Sequence, residues 1–370
     1  MNPMLGAGQG DLVGRSLDEL PTPLLCLDVD ALERNIEAMT AMCHAHGKQW
    51  RPHIKAHRCP AILERLKKAG WQGVTCATAA EAQVAVAWGL TDVLIANQLV
   101  GANLERAIRL AHIAAPILTF DSLDQVHLAD QLAHRYGVRP RAIVELDIGM
   151  GRAGVADMAS ALGLAEAIDR TANLEFVGVM GYEGHLLAHP DREEKARLIF
   201  ESLDRLAELV DRIRKKGLNC NIVSAGGTGS CETTVRHPAV TELQAGGLVF
   251  MDAYYRHRCG VQRFEHALTV ESSITSVPAA DRAIMDAGRK THDISLCEPE
   301  FIDPPRGLSV RSLSAEHGVL QVSPQAPPLR PGSRVRFVPG YSDFTMMLHP
   351  HLVAHRNRTA IGLWPIGPRN

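Results

Sequence analysis

The chain has 370 residues, a formal charge of −2 at pH 7 and 46% hydrophobic residues. That length suffices for two domains. The near-neutral balance offers nothing to attract nucleic acid or an anionic membrane surface, and no apolar run is long enough to span a bilayer. Eight cysteines (Cys26, Cys43, Cys59, Cys76, Cys220, Cys231, Cys259 and Cys297) are scattered without a C-x-x-C pair. This argues against a zinc ribbon or a thioredoxin-like site and for reduced thiols in the cytoplasm. The stretch Met1–Gly10 lacks the charged and apolar regions of a secretion signal.

Residues 1–20 read as a polar, glycine-rich lead, and Pro23–Val29 as an apolar strand. Asp30, with Glu33 at capping-box spacing, is expected to open a helix. Leu32, Ile36, Met39 and Met42 form its buried stripe, and Gly47 ends it. Strands are then expected over 51–55, 73–78, 92–96, 116–120, 142–147, 176–182, 221–224 and 247–251. Helices are expected over Pro60–Ala69, Ala79–Trp88, Leu104–Ala111, Leu123–Tyr136, Met158–Arg170 and Glu193–Lys216. Strict alternation implies a parallel sheet covered by helices, and eight such units suit a (β/α)8 barrel. A doubly wound open sheet is the rival, but no G-x-G-x-x-G follows an early strand.

Beyond residue 262 the helical period fades into short β-rich runs, Leu268–Val277, Arg282–Ala287, Gly318–Val322 and Ser333–Val338, broken by prolines such as Pro304, Pro305 and Pro324. The reading is a barrel over 30–261 and a mostly antiparallel β domain formed by 1–29 with 262–370. The strand Pro23–Val29 would pair into that domain and tie the two chain ends together.

Chemistry in such barrels gathers at the C-terminal strand ends. Those ends hold Lys55 with His57, Thr78, Asn97, Asp121, Asp147 to Arg152, Tyr182 to His185, Ser224 to Ser230, and Met251 to Tyr255. In Arg51-Pro-His-Ile-Lys-Ala-His57 the basic residues alternate with Pro52, Ile54 and Ala56, the period of a strand. A lysine in an otherwise apolar region loses its proton more readily and can attack a carbonyl to form an imine. On that ground Lys55 is a candidate to carry pyridoxal 5'-phosphate (PLP); a surface strand with snorkelling basic groups is the bland rival. In Ser224-Ala-Gly-Gly-Thr-Gly-Ser230, small residues let amides turn towards one point, with Thr228 and Ser230 adding hydroxyls. That suits a phosphate, whereas the alternative is a flexible turn. Arg152 can hold a ring substituent or a carboxylate, or pair with Asp147. Tyr182 can pack on a flat cofactor, His185 can shuttle protons, and Tyr255 with Asp252 can close the pocket.

Together these pieces resemble the fold-type III PLP enzymes with an alanine-racemase-like barrel, and within them the D-threonine aldolase and D-serine dehydratase group. The markers are Arg51–His57, Asp147-Ile-Gly-Met-Gly-Arg-Ala-Gly-Val155, Ser224–Gly229, Thr241-Glu-Leu-Gln-Ala-Gly246, Phe250-Met-Asp252 and Asp286-Ala-Gly288. The resemblance implies that Lys55 holds PLP, that Ser224, Gly227, Thr228 and Gly229 lie at its phosphate, and that Arg152, Tyr182 and Tyr255 line it. It implies a homodimer, an amino-acid substrate and a divalent cation, magnesium or manganese. The group's ligand pattern is Pro-Gly-His-x-Cys/Asp; here it reads Pro339-Gly-Tyr-Ser-Asp343, so Asp343 remains as a ligand and Tyr341 replaces the imidazole.

The activity implied is retro-aldol cleavage of a D-3-hydroxy amino acid to glycine and an aldehyde, with Lys55, His185 and Tyr341 as catalytic groups. Dehydration of a 3-hydroxy-D-amino acid, or racemisation using Lys55 and Tyr341, are the alternatives. A non-enzymatic PLP carrier would leave the second domain without a purpose.

Overall fold

Strand β1 (Leu24–Asp28) runs straight into helix α1 (Val29–Ala45). Because no loop intervenes, the cap comes from the strand's last residue rather than from Asp30. Asp28 Oδ1 accepts the amides of Asp30 and Ala31 at 2.9 and 3.1 Å. Leu32, Ile36, Met39 and Met42 are all buried, and Gly47, at φ +64°, closes the helix. The computed structural model describes residues 12–71, 73–302 and 307–367. The lead up to residue 11, and Pro304 and Pro305, lie outside the described residues. The chain divides into two compact units. One combines Met1–Ile36 with Gly247–Gly367, and the other is Glu37–Gly246.

The second of these is a barrel of eight parallel strands. They are β2 (Gln49–Trp50), β3 (Gly73–Cys76), β4 (Asp92–Gln98), β5 (Ala115–Phe120), β6 (Arg141–Glu145), β7 (Glu175–Met180), β8 (Ile222–Ala225) and β9 (Glu242–Leu243). They neighbour one another in the order β2-β9-β8-β7-β6-β5-β4-β3, and the bridge His53↔Thr75 joins the two ends of that order. Leu94, Ile117, Ile143, Val177 and Met180, from four adjacent strands, form a core cluster.

The helices between them are α2 (Pro60–Lys68), α3 (Ala79–Ala87), α4 (Gly101–Arg109), α5 (Leu123–Tyr136), α6 (Met158–Arg170) and α7 (Arg192–Lys215). Their starts follow from local chemistry. Thr78, Ser122, Asp157 and Asp191 each accept an amide three residues on. Gly137 ends α5 in the left-handed region at φ +63°.

Two of the expected strands differ. The run 51–55 is not a regular strand: β2 ends at Trp50, the Arg51 and His53 amides still donate to Leu243 and Gln244 O at 2.8 and 3.1 Å, and the chain then turns into a one-turn 3-10 helix over Ile54–Ala56. Pro52 has no amide to give a ladder, and only its carbonyl is used, by the Thr75 amide at 3.0 Å. The eighth strand is Glu242–Leu243 rather than 247–251, where Gly247–Val249 form a 3-10 turn. The true strand is masked by polar residues that are nonetheless buried, Glu242 and Gln244.

Their burial has a partner. Arg51 Nε donates to Glu242 at 2.9 Å, and its other end pairs with Asp92 on β4 at 2.9 Å. Arg141 on β6 binds the same Asp92. Glu242 also accepts from Ser224 Oγ at 2.8 Å, and Ser224 Oγ accepts in turn from Gln244 Nε2 at 3.0 Å. Removing one member leaves a buried charge without its partner.

In the other unit the sheet runs β13 (Leu308–Leu313), β14 (Gly318–Val322), β11 (Arg282–Met285), β10 (Leu268–Ala279), β1, β16 (His351–Arg356), β17 (Thr359–Pro365). β15 (Arg334–Val338) pairs with β10 and with β12 (Glu300–Ile302). β1 pairs antiparallel with β10 and parallel with β16, so the early strand sits mid-sheet.

Glu242→Gln should leave the buried Arg51 charge with Asp92 as its remaining carboxylate. We expect a loss of about 1.5–3 kcal/mol in chemical denaturation, whereas an exposed control, Glu201→Gln on α7, should cost under about 0.5 kcal/mol.

Candidate active site

Lys55 sits at the centre of the short 3-10 turn that leaves β2, and its side chain is exposed. His53 opens the turn as its cap, with Nδ1 accepting the Lys55 amide at 3.4 Å. The turn is braced from below by close backbone packing. A Cβ on Gly246 would lie 2.1 Å from the His53 carbonyl, so only glycine fits there. Burial holds the His53 imidazole well below its usual pKa, with the Lys55 and His57 charges beside it and Arg152 acting in the same direction. His57 closes the turn, and burial, with Arg58 adjoining, pushes its pKa down to about 3.

Arg152 sits in the glycine loop after β6, where Asp147 accepts the amides of Gly149 and Gly151 at 2.9 and 3.1 Å. The Arg152 guanidinium lies 5.6 Å from the centre of the Tyr182 ring. Tyr182 ends β7 and leans on the next loop. A Cβ on Gly227 would come within 2.9 Å of the Tyr182 ring and hydroxyl. His185, also at this end of β7, is exposed, and Gly149 leaves the room its ring occupies. Lys55 and His53 thus share one turn, Arg152 lies over Tyr182, and Tyr182 packs on the Gly226–Gly229 loop, all beyond strand ends of the same barrel.

That loop is pinned at several points. Gly226 turns at φ +83°, and its amide reaches Glu183 at 3.4 Å. Gly227 donates to Ser230 Oγ at 3.0 Å. Glu183 also accepts from Thr234, on the short helix α8 (Cys231–Thr234). Thr228 is buried. Ser224, read from sequence as a phosphate contact, is fully buried with its hydroxyl engaged by Glu242 and Gln244. The sequence reading missed Lys195, whose ammonium is buried and donates to the Gly229 carbonyl at 2.8 Å. A signal existed: Lys195 stands four residues before Ile199 on the buried stripe of α7.

These residues fit PLP. Gly227 lets the Tyr182 ring lie against the glycine loop, the loop's donors are amides and hydroxyls, and an amine and a guanidinium stand beyond other strand ends of the same barrel.

Tyr255, Tyr341 and Asp343 belong to the other unit and lie together there. Tyr341 contacts the rings of Tyr254, Tyr255 and Phe344 at centroid distances of 5.6, 6.0 and 5.0 Å. Its hydroxyl donates to Asp343 Oδ2 at 3.2 Å, just ahead of and within the short helix α9 (Ser342–Met346). Asp252 is buried, and it accepts the amides of Tyr255 and Ser342 at 2.8 Å each and the Ser342 hydroxyl at 2.7 Å. These donors do not fit a divalent cation. One carboxylate here accepts from a neutral phenol, itself a poor ligand, and the other accepts three hydrogen bonds from Tyr255 and Ser342. Among the described residues no cluster of three His, Cys, Asp or Glu side chains could hold a metal.

The buried imidazole of His57 makes stability pH-dependent. Its folded pKa, about 3, lies below the unfolded value near 6.5, so the neutral form is favoured by folding. The associated stability is present above about pH 6.5 and is lost as pH falls towards 3. Chemical denaturation at pH 7 and pH 5 should show His57→Asn losing less stability on acidification than the parent, by up to about 1.4 kcal/mol per pH unit.

Comparison with known proteins follows the two-unit division. The model of the alanine racemase N-terminal domain matches residues 27–253, and that of a putative serine dehydratase domain matches 267–355. The chain is 36% identical to a D-threonine aldolase of an Arthrobacter species over 96% of its length and 94% of the relative's. It is 31% identical to a 3-hydroxy-D-aspartate aldolase of Paracoccus denitrificans, over 97% of this chain and 94% of that one. Among solved structures, D-threonine aldolase from Filomicrobium marinum superposes with a TM-score of 0.91 at 33% identity, covering 95% of this chain and 97% of the other.

Proposed function

The chain belongs to the PLP-dependent family built on the alanine racemase N-terminal domain, and from that premise we propose a lyase that cleaves D-configured 3-hydroxy amino acids to glycine and an aldehyde. The observation that carries the site assignment is that Lys55, the Arg152–Tyr182 pair and the Gly226–Gly229 loop against Tyr182 all stand beyond strand ends of one barrel.

When bound, PLP supplies an electron sink for the bond broken at the substrate's Cα. The chain's own residues do the rest. Lys55 is the residue that would hold the cofactor, through its side-chain amine. The amides of Thr228 and Gly229 would receive the phosphate, the Gly227 amide being held by Ser230 Oγ, and Lys195 fixes that loop through the Gly229 carbonyl. Tyr182 supplies a flat surface, with Arg152 over its ring. His185 takes the β-hydroxyl proton, the step that turns the hydroxyl into a carbonyl. Tyr255 and Tyr341 belong to the same reading, as a cofactor-lining group and a second acid/base.

Dehydration stays as a second reading because the β unit matches the putative serine dehydratase domain. The two separate by product: an aldehyde for cleavage, ammonia with an oxo acid for dehydration.

The homodimer is part of this proposal. Beside Tyr341, the side chains of Phe344, Met347 and Leu348 are 45%, 44% and 41% exposed, an apolar patch suited to an interface. A cytoplasmic location is proposed too, on the eight cysteines, none of which is in a disulfide. Among the described residues no helix is long and apolar enough to cross a membrane. The functional domains proposed are the barrel over 30–261 and the β domain from 1–29 with 262–370.

Incubation with D-threonine should release acetaldehyde, and the L-isomer should not be cleaved. Lys55→Ala should lose both activity and the visible absorbance of bound cofactor. His185→Ala should keep the absorbance while kcat falls roughly 10²–10⁴-fold. Turnover that persists undiminished in His185→Ala would remove that residue from the mechanism. Since the donors around Asp343 fall short of a cation site, chelation by EDTA should leave turnover unchanged; loss that manganese restores would show the opposite.

A further inference from the structure

The two histidines that flank Lys55 do the same thing. His53 Nδ1 accepts the amide of Lys55, two residues on, at 3.4 Å. His57 Nδ1 accepts the amide of Cys59, again two residues on, at 3.1 Å. Between them lies a turn of three residues, Ile54–Ala56, too short to hold its own shape by regular helical bonding. Its ends are otherwise secured by the amides of His57 and Arg58 donating to Ile54 O at 3.0 and 2.9 Å. Ile54 and Ala56 are buried while Lys55 between them is exposed. The exit is unusual too: Arg58 is buried and takes a left-handed backbone at φ +46°.

We propose that His53 and His57 are positioning residues, neutral imidazoles that act as paired backbone caps and fix the turn that presents Lys55. The proposal rests on the reading of Lys55 as the cofactor-bearing lysine. An imidazole whose Nδ1 accepts an amide must carry its proton on Nε2. A protonated ring has no acceptor, so a cationic His53 or His57 would release its amide. The charged groups facing these rings, Lys55 and Arg152 for His53 and Arg58 for His57, act against that protonation. The clamp is therefore built to stay neutral while cations gather around it. His53 supports the reaction through the geometry of Lys55, and proton transfer on the substrate is left to other groups.

Asparagine and glutamine separate the roles of the two ring nitrogens. The Asn carbonyl oxygen sits where Nδ1 does and forms the same turn with the amide two residues on. The Gln amide reaches further, to about the place of Nε2. The variants His53→Asn, His53→Gln, His57→Asn and His57→Gln are compared by three measurements. These are PLP affinity, the rate at which Lys55 of the apoenzyme is reductively methylated, and the kcat and KM of the holoenzyme.

The expected result is that both Gln variants weaken PLP binding by about tenfold, the order of one lost capping bond, and change the methylation rate of Lys55. Both Asn variants should restore the parent's values to within about threefold. Equal behaviour of Asn and Gln would overturn the proposal. So would a His53→Asn enzyme with normal PLP affinity and a collapsed kcat, because the imidazole would then be reacting itself. Lys55→Ala answers the underlying question separately: if it binds PLP like the parent, the assignment of Lys55 fails, whatever the histidine variants do.

Discussion

The barrel depends on one buried guanidinium. Arg51 follows the two-residue strand β2, and its side chain reaches Glu242 on β9 and Asp92 on β4. Backbone bonds from the amides of Gln49, Arg51 and His53 to Thr241, Leu243 and Gln244 close the seam between β2 and β9. The ion pairs add to them and disfavour alternative registers, because a slip would bury each charge without its partner. Gly73 belongs to the same arrangement: a Cβ there would meet the Arg51 guanidinium at 2.5 Å. The constraint then passes up the chain. Once Arg51 is fixed, Pro52 and His53 are placed against Thr75, and the turn bearing Lys55 begins at a defined point.

Much of this was legible from residues alone. Helices α5 and α6 fall over the expected ranges, Leu123–Tyr136 and Met158–Arg170, with Ser122 and Asp157 capping them. The β8 loop was legible because small residues cluster after a buried strand, and Pro23–Val29 because an apolar strand was left over from the eight. What stayed hidden was polar and buried. Glu242 and Gln244 are polar yet buried, and the sequence puts the eighth strand over the more apolar 247–251, several positions on. The alternation in Arg51–His57 has the period of a strand, yet a proline without an amide and two histidines capping the backbone make it a turn. Lys195 was lost inside a charged helix, where only its place on the buried stripe gave it away. Such residues are set by partners far along the chain, and periodicity carries no information about partners.

The stretch from Pro339 to Asp343 shows the limit of family pattern in another way. Substituting a phenol for an imidazole alters more than one ligand. Tyr341 turns its hydroxyl to Asp343 and its ring to Tyr254, Tyr255 and Phe344. A position that would serve cation chemistry becomes part of an aromatic cluster, with the neighbouring carboxylate used as its acceptor. The pattern survives in spacing while its donor set changes.

The place of β1 between β10 and β16 has a consequence for synthesis. Residues 24–28 are made before the barrel segment Glu37–Gly246, and their neighbours, residues 268–271 and 353–355, are made after it. The barrel segment can therefore complete its folding while the first strand still exposes both edges; one edge waits for 268–271 and the other for 353–355. Throughout synthesis of the barrel, nascent chains of this protein thus carry an open apolar strand of the kind that chaperones hold.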